Sequence, residues 1–114
     1  MKPQIDFSDF SKLDLRVGEI MEAMEVVGSE KLVELKVNFG TELGVRTIYA
    51  GIKQWYLPEK MIGRKLIFVV NLAPKRFKIG DRELVSEGML LAAGGDEAVL
   101  YKFDKDLDSG TVLR

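Results

Sequence analysis

Along "KLVELKVNFG" every second residue is apolar: Val33, Leu35, Val37 and Phe39 alternate with Glu34, Lys36 and Asn38. A period of two sends successive side chains to opposite faces, so this stretch predicts a strand with one buried and one wetted face. The turn residues of "GSEK" precede it and predict an antiparallel hairpin with the segment before, "LDLRVGEIMEAMEV". There Leu13, Leu15 and Val17 alternate with Asp14 and Arg16 until Gly18, after which Ile20, Met24 and Val26 take the even positions. A bulge or sharp coil at Gly18 would let one long strand serve two parts of a curved sheet.

"VRTIYAGI" is rich in β-branched and aromatic residues and predicts a third strand. "KLIFVVNL" is apolar on both faces, which suits a central or covered strand. "GMLLAAGG" and "AVLYKF" predict two more, joined by a turn at "GGDE". Helical signals are brief. Phe7 and Phe10 stand at helical spacing with Ser8 and Asp9 as caps, and Pro58 with Glu59 opens a turn or two that Gly63 ends.

This order predicts an all-β fold: a five-stranded barrel of the oligonucleotide/oligosaccharide-binding (OB-fold) type, with one short helix between strands 3 and 4 and a C-terminal β extension. An SH3-like barrel and a small ferredoxin-like fold are the competitors, and the second lacks its two long helices. No repeat or linker divides the 114 residues, so residues 1–114 are read as a single domain.

Composition narrows the chemistry. The chain has no Cys and no His, which removes thiolate nucleophiles, imidazole bases and the usual zinc ligands. Ser86 has no base at a productive spacing, Asp104, Asp106 and Asp108 do not complete a calcium loop, and Gly94 and Gly95 form no phosphate-cradling series. A non-catalytic protein without metal or cofactor is expected. Without an apolar run long enough for a membrane span or a signal peptide, the expected location is cytoplasmic, away from membranes.

The net charge of -1 hides an uneven distribution. Between Lys60 and Arg82 seven cations face only Asp81, a net +6, which leaves -7 for the rest of the chain. Within that window, "NLAPKRFKIGDRE" sets Lys75, Arg76 and Lys78 around Phe77, and Pro74 keeps the start extended. Cations that neutralise phosphates release counterions, and an aromatic plane can stack on an unpaired base. Phe77 equally suits a role as an anchor for the loop.

Four ordered blocks, "FSKLDLRVGEI", "GIKQWYLPEKMIGRKL", "VVNLAPKRF" and "SEGMLLAA", resemble the tRNA-binding domain. That domain occurs at the C-terminus of many methionyl-tRNA synthetases, in stand-alone tRNA-binding proteins, in archaeal methionyl-tRNA synthetase beta subunits, in endothelial-monocyte-activating polypeptide II and in the chaperone CsaA. The resemblance spans about residues 5 to 114. It implies a homodimeric barrel that recognises the outer corner of tRNA by shape and assists methionyl-tRNA synthetase in trans, with no chemistry of its own.

Carried onto this chain, the resemblance implies as tRNA-binding residues Arg16 on the polar face of its strand, Asn71, Lys75, Arg76, Ser86 and Met89; Lys36 and Lys78 join them as candidate tRNA-binding cations. In "LVSEGMLLAAGG", Gly88 lets the backbone turn so that the Ser86 hydroxyl and Met89 face the basic segment, while Glu87 orients a cation. Val99, Tyr101 and Phe103 of the C-terminal part would build the dimer interface. "KIGDRELV" is a longer connection than the family's usual one, and "NFGTELGVRT" is closer to the CsaA branch. The second reading is therefore a CsaA-like export chaperone holding unfolded peptides in an apolar groove between subunits. A barrel for single-stranded DNA or oligosaccharide would need stacking aromatics, for which only Tyr49, Trp55, Tyr56 and Tyr101 are candidates.

Overall fold

The computed structural model describes residues 1–114. In chain order it contains helix α1 (Phe7–Phe10), β1 (Leu15–Glu25), β2 (Val33–Asn38), α2 (Gly40–Leu43), β3 (Val45–Ala50), a single 3-10 turn (Pro58–Lys60), β4 (Lys65–Val69), β5 (Lys75–Ile79), β6 (Arg82–Ser86), β7 (Met89–Leu90) and β8 (Val112–Leu113). Five strands form one antiparallel sheet in the order β3-β2-β1-β4-β7, with β8 pairing on β1. The sheet curls until β3 meets the chain entering β7, giving a nearly closed, OB-fold-like barrel. The expected short helix lies between β3 and β4, and the C-terminal extension is β8. Helix α2, a single turn after β2, is not among the expected elements.

The alternation in β2 is realised as written: Val33, Leu35 and Val37 are fully buried and Glu34, Lys36 and Asn38 are half-buried. They join Ile20, Ile48, Leu66 and Phe68 in the core, where Phe39 meets Phe68 edge to face with ring centroids 5.3 Å apart. β4 is covered on both sides, as its composition required, with Leu66 and Phe68 in the core and Val69 also buried.

β1 departs from expectation. Its register slips between Ile20 and Glu22, so the bulge falls at Met21 rather than Gly18. Beyond the slip Ala23 packs on the core, and Met24, expected inside, is exposed. Gly18 has a different purpose. It pairs with Leu66, and a Cβ there would lie 2.5 Å from Val37 Cγ1 and 2.6 Å from Phe39 Cε1. The absent side chain is what allows the strands and Phe39 to close together.

The same pairing corrects the placement of Arg16. Residues opposite one another in an antiparallel ladder share a face. Arg16 stands opposite Phe68, and Gly18 opposite Leu66, so Arg16 shares their face and Leu15 and Val17 lie on the other, where Val17 is fully buried as expected.

"AVLYKF" forms no strand; it contributes only a bridge between Ala93 and Val99. Its tyrosine explains why. After Leu91 the chain leaves β4, and the Tyr101 hydroxyl fills the opening, accepting from the Ile67 amide at 2.9 Å and donating to the Leu91 carbonyl at 2.8 Å. Burial raises the pKa of this phenol. The connection "KIGDRELV" is not a loop: β5 and β6 form a separate two-stranded sheet turning at Gly80 and Asp81. Gly80 has φ 61°, which the first central position of a type II′ turn requires. At the tip, Arg82 donates to the Val27 carbonyl, and Ile79 packs where Gly28 has no side chain.

Candidate nucleic-acid interface

The β5–β6 hairpin sorts the basic residues by strand periodicity. Lys75 and Phe77 lie on one face, opposite Ser86 and Leu84; Arg76 and Lys78 lie on the other, opposite Val85 and Glu83. Phe77 packs against Tyr49 with ring centroids 6.3 Å apart, so it anchors the hairpin to β3. Tyr49 is held in turn by donating to Glu34 at 2.7 Å, and burial, followed by that bond, pushes its pKa up to about 12. Lys75 Nζ sits 5.0 Å from the centre of the Phe77 ring. Arg76 pairs with Glu83 at 2.5 Å, but both are exposed, and such a pair adds little. Lys75 and Lys78 take part in none of the six ion pairs.

Between the hairpin, the end of β3 and β7 runs a groove of 340 Å³, with 10 hydrophobic residues among the 15 that line it. Its only charged residues are Lys31 and Lys75. Met89 is 45% exposed and lines the groove beside Phe77 and Leu90. Thus Lys75, Ser86 and Met89, distant enough in sequence to need a fold to join them, share one concavity, with Arg76 and Lys78 on the hairpin's outer side.

Ser86 is present there as structure. It is 3% exposed, accepts from the Tyr49 amide at 3.0 Å and donates to the Gly88 carbonyl at 2.9 Å. Its single O–H is spent on Gly88, so a phosphate could accept from it only by breaking that bond. Glu87 shares that work: its amide donates to Thr47 O at 2.9 Å, its carboxylate accepts from the Thr47 amide at 3.2 Å, and its carbonyl accepts from the Arg46 guanidinium at 3.4 Å. Gly88 fits because a Cβ would press to 3.0 Å from the Val69 carbonyl oxygen. Ser86→Ala leaves the buried Tyr49 amide without a partner and is expected to cost about 1–3 kcal/mol of stability. Chemical denaturation should show that loss with tRNA affinity of the folded fraction nearly unchanged; the reverse pattern would restore the hydroxyl as a ligand.

Three other candidates lie outside the groove. The Arg16 side chain is 12% exposed and bonds Asp14 at 2.8 and 3.1 Å and Glu42 at 2.9 Å. The bonds to Asp14 and Glu42 raise its pKa, and Arg16 holds the Glu42 carboxyl below its ordinary value. Asn71 staples the N-terminal segment to the end of β4, accepting from the Asp14 amide at 2.8 Å and donating to the Lys12 carbonyl at 2.6 Å. Lys36 donates to Thr47 Oγ1 at 2.6 Å on the outer wall of the barrel. Lys31 was missed in the sequence because it stands far from the basic window and reaches the groove only through the β2–β3 pairing.

A five-stranded antiparallel, nearly closed barrel of this order belongs to the OB-fold-like class, here with a cationic hairpin beside an acid-free apolar groove. Residues 15–112 match the family model described as "Putative tRNA binding domain", and the chain belongs to the tRNA-binding domain family. It is 45% identical over 112 residues to a methionine-tRNA ligase of Leptospira interrogans, covering 97% of this chain and 15% of the ligase. A methionine-tRNA ligase of Bdellovibrio bacteriovorus is 44% identical over 103 residues, covering 90% of this chain and 14% of that protein. The chain thus spans about one seventh of these relatives. Among solved structures, chaperone CsaA from Bacillus anthracis superposes with TM-score 0.84 at 32% identity, covering 98% of this chain and 100% of that one. A methionyl-tRNA synthetase related protein from Pyrococcus horikoshii gives TM-score 0.84 at 33% identity, covering 99% and 100%.

Proposed function

We propose that this chain binds folded tRNA by shape, without catalysis, in the cytoplasm, as a homodimer that assists methionyl-tRNA synthetase in trans. The observation that carries the reading is the β5–β6 hairpin, which holds Lys75, Arg76 and Lys78 exposed beside a groove free of acids. Its cations set phosphate affinity, and the rigid barrel sets their spacing. Kinship with regions of methionine-tRNA ligases supports the choice of RNA and of synthetase. A second weak contact of this kind raises the effective concentration of tRNA at the synthetase without altering its chemistry.

For the dimer, Val99 at 46% exposure and Phe103, edge to face with Tyr101 at 6.2 Å between ring centroids, remain the proposed contacts. Tyr101 takes part through its ring, since its hydroxyl is engaged within the subunit. Fluorescence anisotropy at two salt concentrations tests the main reading: folded tRNA should bind more tightly than a single strand of equal length, with affinity falling as salt rises. Equal binding of the two RNAs would remove shape recognition. The likeness to CsaA and the apolar groove favour one second reading, a peptide-holding chaperone. Its signature is saturable capture of an unfolded preprotein that tRNA does not diminish.

A further inference from the structure

We propose, on the reading that this surface binds tRNA, that the groove beside the hairpin receives one unpaired nucleotide of the RNA, its base against Phe77 and Met89 and its phosphate on Lys75. Three observations converge. A volume of 340 Å³ lies at the small end of the roughly 300–1,000 Å³ range of ligand pockets, suited to one nucleotide rather than a run of them. The lining joins apolar walls to two lysines and no acid, complementary to a ligand with an apolar plane and an anionic group. An extended peptide would instead dock by main-chain pairing on a free strand edge. Part of the β3 edge is already taken, the Thr47 amide and carbonyl by Glu87 and the Tyr49 amide by the Ser86 hydroxyl, which shortens the run with which a peptide strand could pair.

Lys75 gives the site an order of events. Its ammonium occupies the Phe77 ring face at 5.0 Å, where a base would stack. A phosphate that draws the ammonium away exposes that face, so neutralising the anion and opening the stacking surface are one movement. Met89 supplies a polarizable wall that adapts to any base. Recognition of this kind reads an unstacked nucleotide without reading its identity.

The chain has five methionines, Met89 being the one that lines the groove, so methyl-labelled methionine reports on the site directly. With saturating tRNA, and with adenosine 5′-monophosphate in excess, the Met89 methyl should shift while Met21, Met24 and Met61 stay in place. Inorganic phosphate alone should move it little. Met89→Ala, at an exposed position, should weaken tRNA roughly five- to tenfold with the salt slope unchanged, whereas Lys78→Gln should lower the slope. If tRNA binds with the expected salt dependence and Met89 does not shift, the groove is empty in the complex and the proposal is overturned while tRNA binding stands. If tRNA fails to bind, both fall. A Met89 shift produced by an unfolded peptide and not by tRNA assigns the groove to the chaperone reading.

Discussion

Replacing Lys75, Arg76 and Lys78 together by glutamine is expected to weaken tRNA binding about a hundredfold or more at 0.1 M salt. Each phosphate contact contributes a slope of about -0.9 on duplex and about -0.7 on single strands in log affinity against log salt. Loss of three contacts should flatten the slope by roughly 2 to 3, which over the decade between 1 M and 0.1 M salt is the stated loss. The three side chains are exposed, and the hairpin is held elsewhere, by Phe77 on Tyr49 and by Arg82 on the Val27 carbonyl. Unfolding midpoints should therefore stay near those of the parent. Anisotropy titrations across salt concentrations decide the matter: a parallel slope in the variant would move the phosphate contacts off the hairpin.

Gly18→Val is expected to destabilise the barrel by roughly 3 kcal/mol or more, at the upper end of overpacking effects. The added carbons would enter space already held by Val37, Phe39 and Phe68, the first of them 2.5 Å away. All three neighbours are buried, so none can swing aside into water. The sign of the change separates two explanations. If Gly18 served as a flexible hinge, a β-branched residue would favour the extended state and raise stability. Gly51→Ala is the matched control, because nothing lies within 4 Å of a Cβ there. Denaturant melts should show the control near the parent and Gly18→Val far below it.

Legibility in the sequence followed the strength of local pattern. β2 could be read residue by residue because period-two alternation fixes its face, and β4 because an all-apolar run has to be covered on both sides. The hairpin was hidden by its cations, which resemble a solvated loop. Its signal was nonetheless present in Gly80–Asp81, with Phe77 and Ile79 alternating on one side and Leu84 on the other. The side of Arg16 was misjudged because a charge on a strand suggests the wet face; Asp14 and Glu42, the latter on an unforeseen helical turn, supply its partners at the barrel's end. Ser86 illustrates a different limit. A hydroxyl carries no mark of burial in the sequence, and only the closure of β3 against the approach to β7 decides its role. The C-terminal strand failed for a related reason: Tyr101 supplies a side-chain oxygen where a ladder would have used backbone.

The two strands of the hairpin leave and rejoin the barrel at neighbouring points, for Lys75 stands opposite Ser86, and they pair with no strand but each other. Residues can therefore be added or removed two at a time near Gly80 without shifting the register of any barrel strand, at the loss only of the tip's contacts with Val27 and Gly28. The hairpin is in this sense a gauge of adjustable length on a fixed hoop. Differences in reach between otherwise similar barrels can arise here with the core untouched.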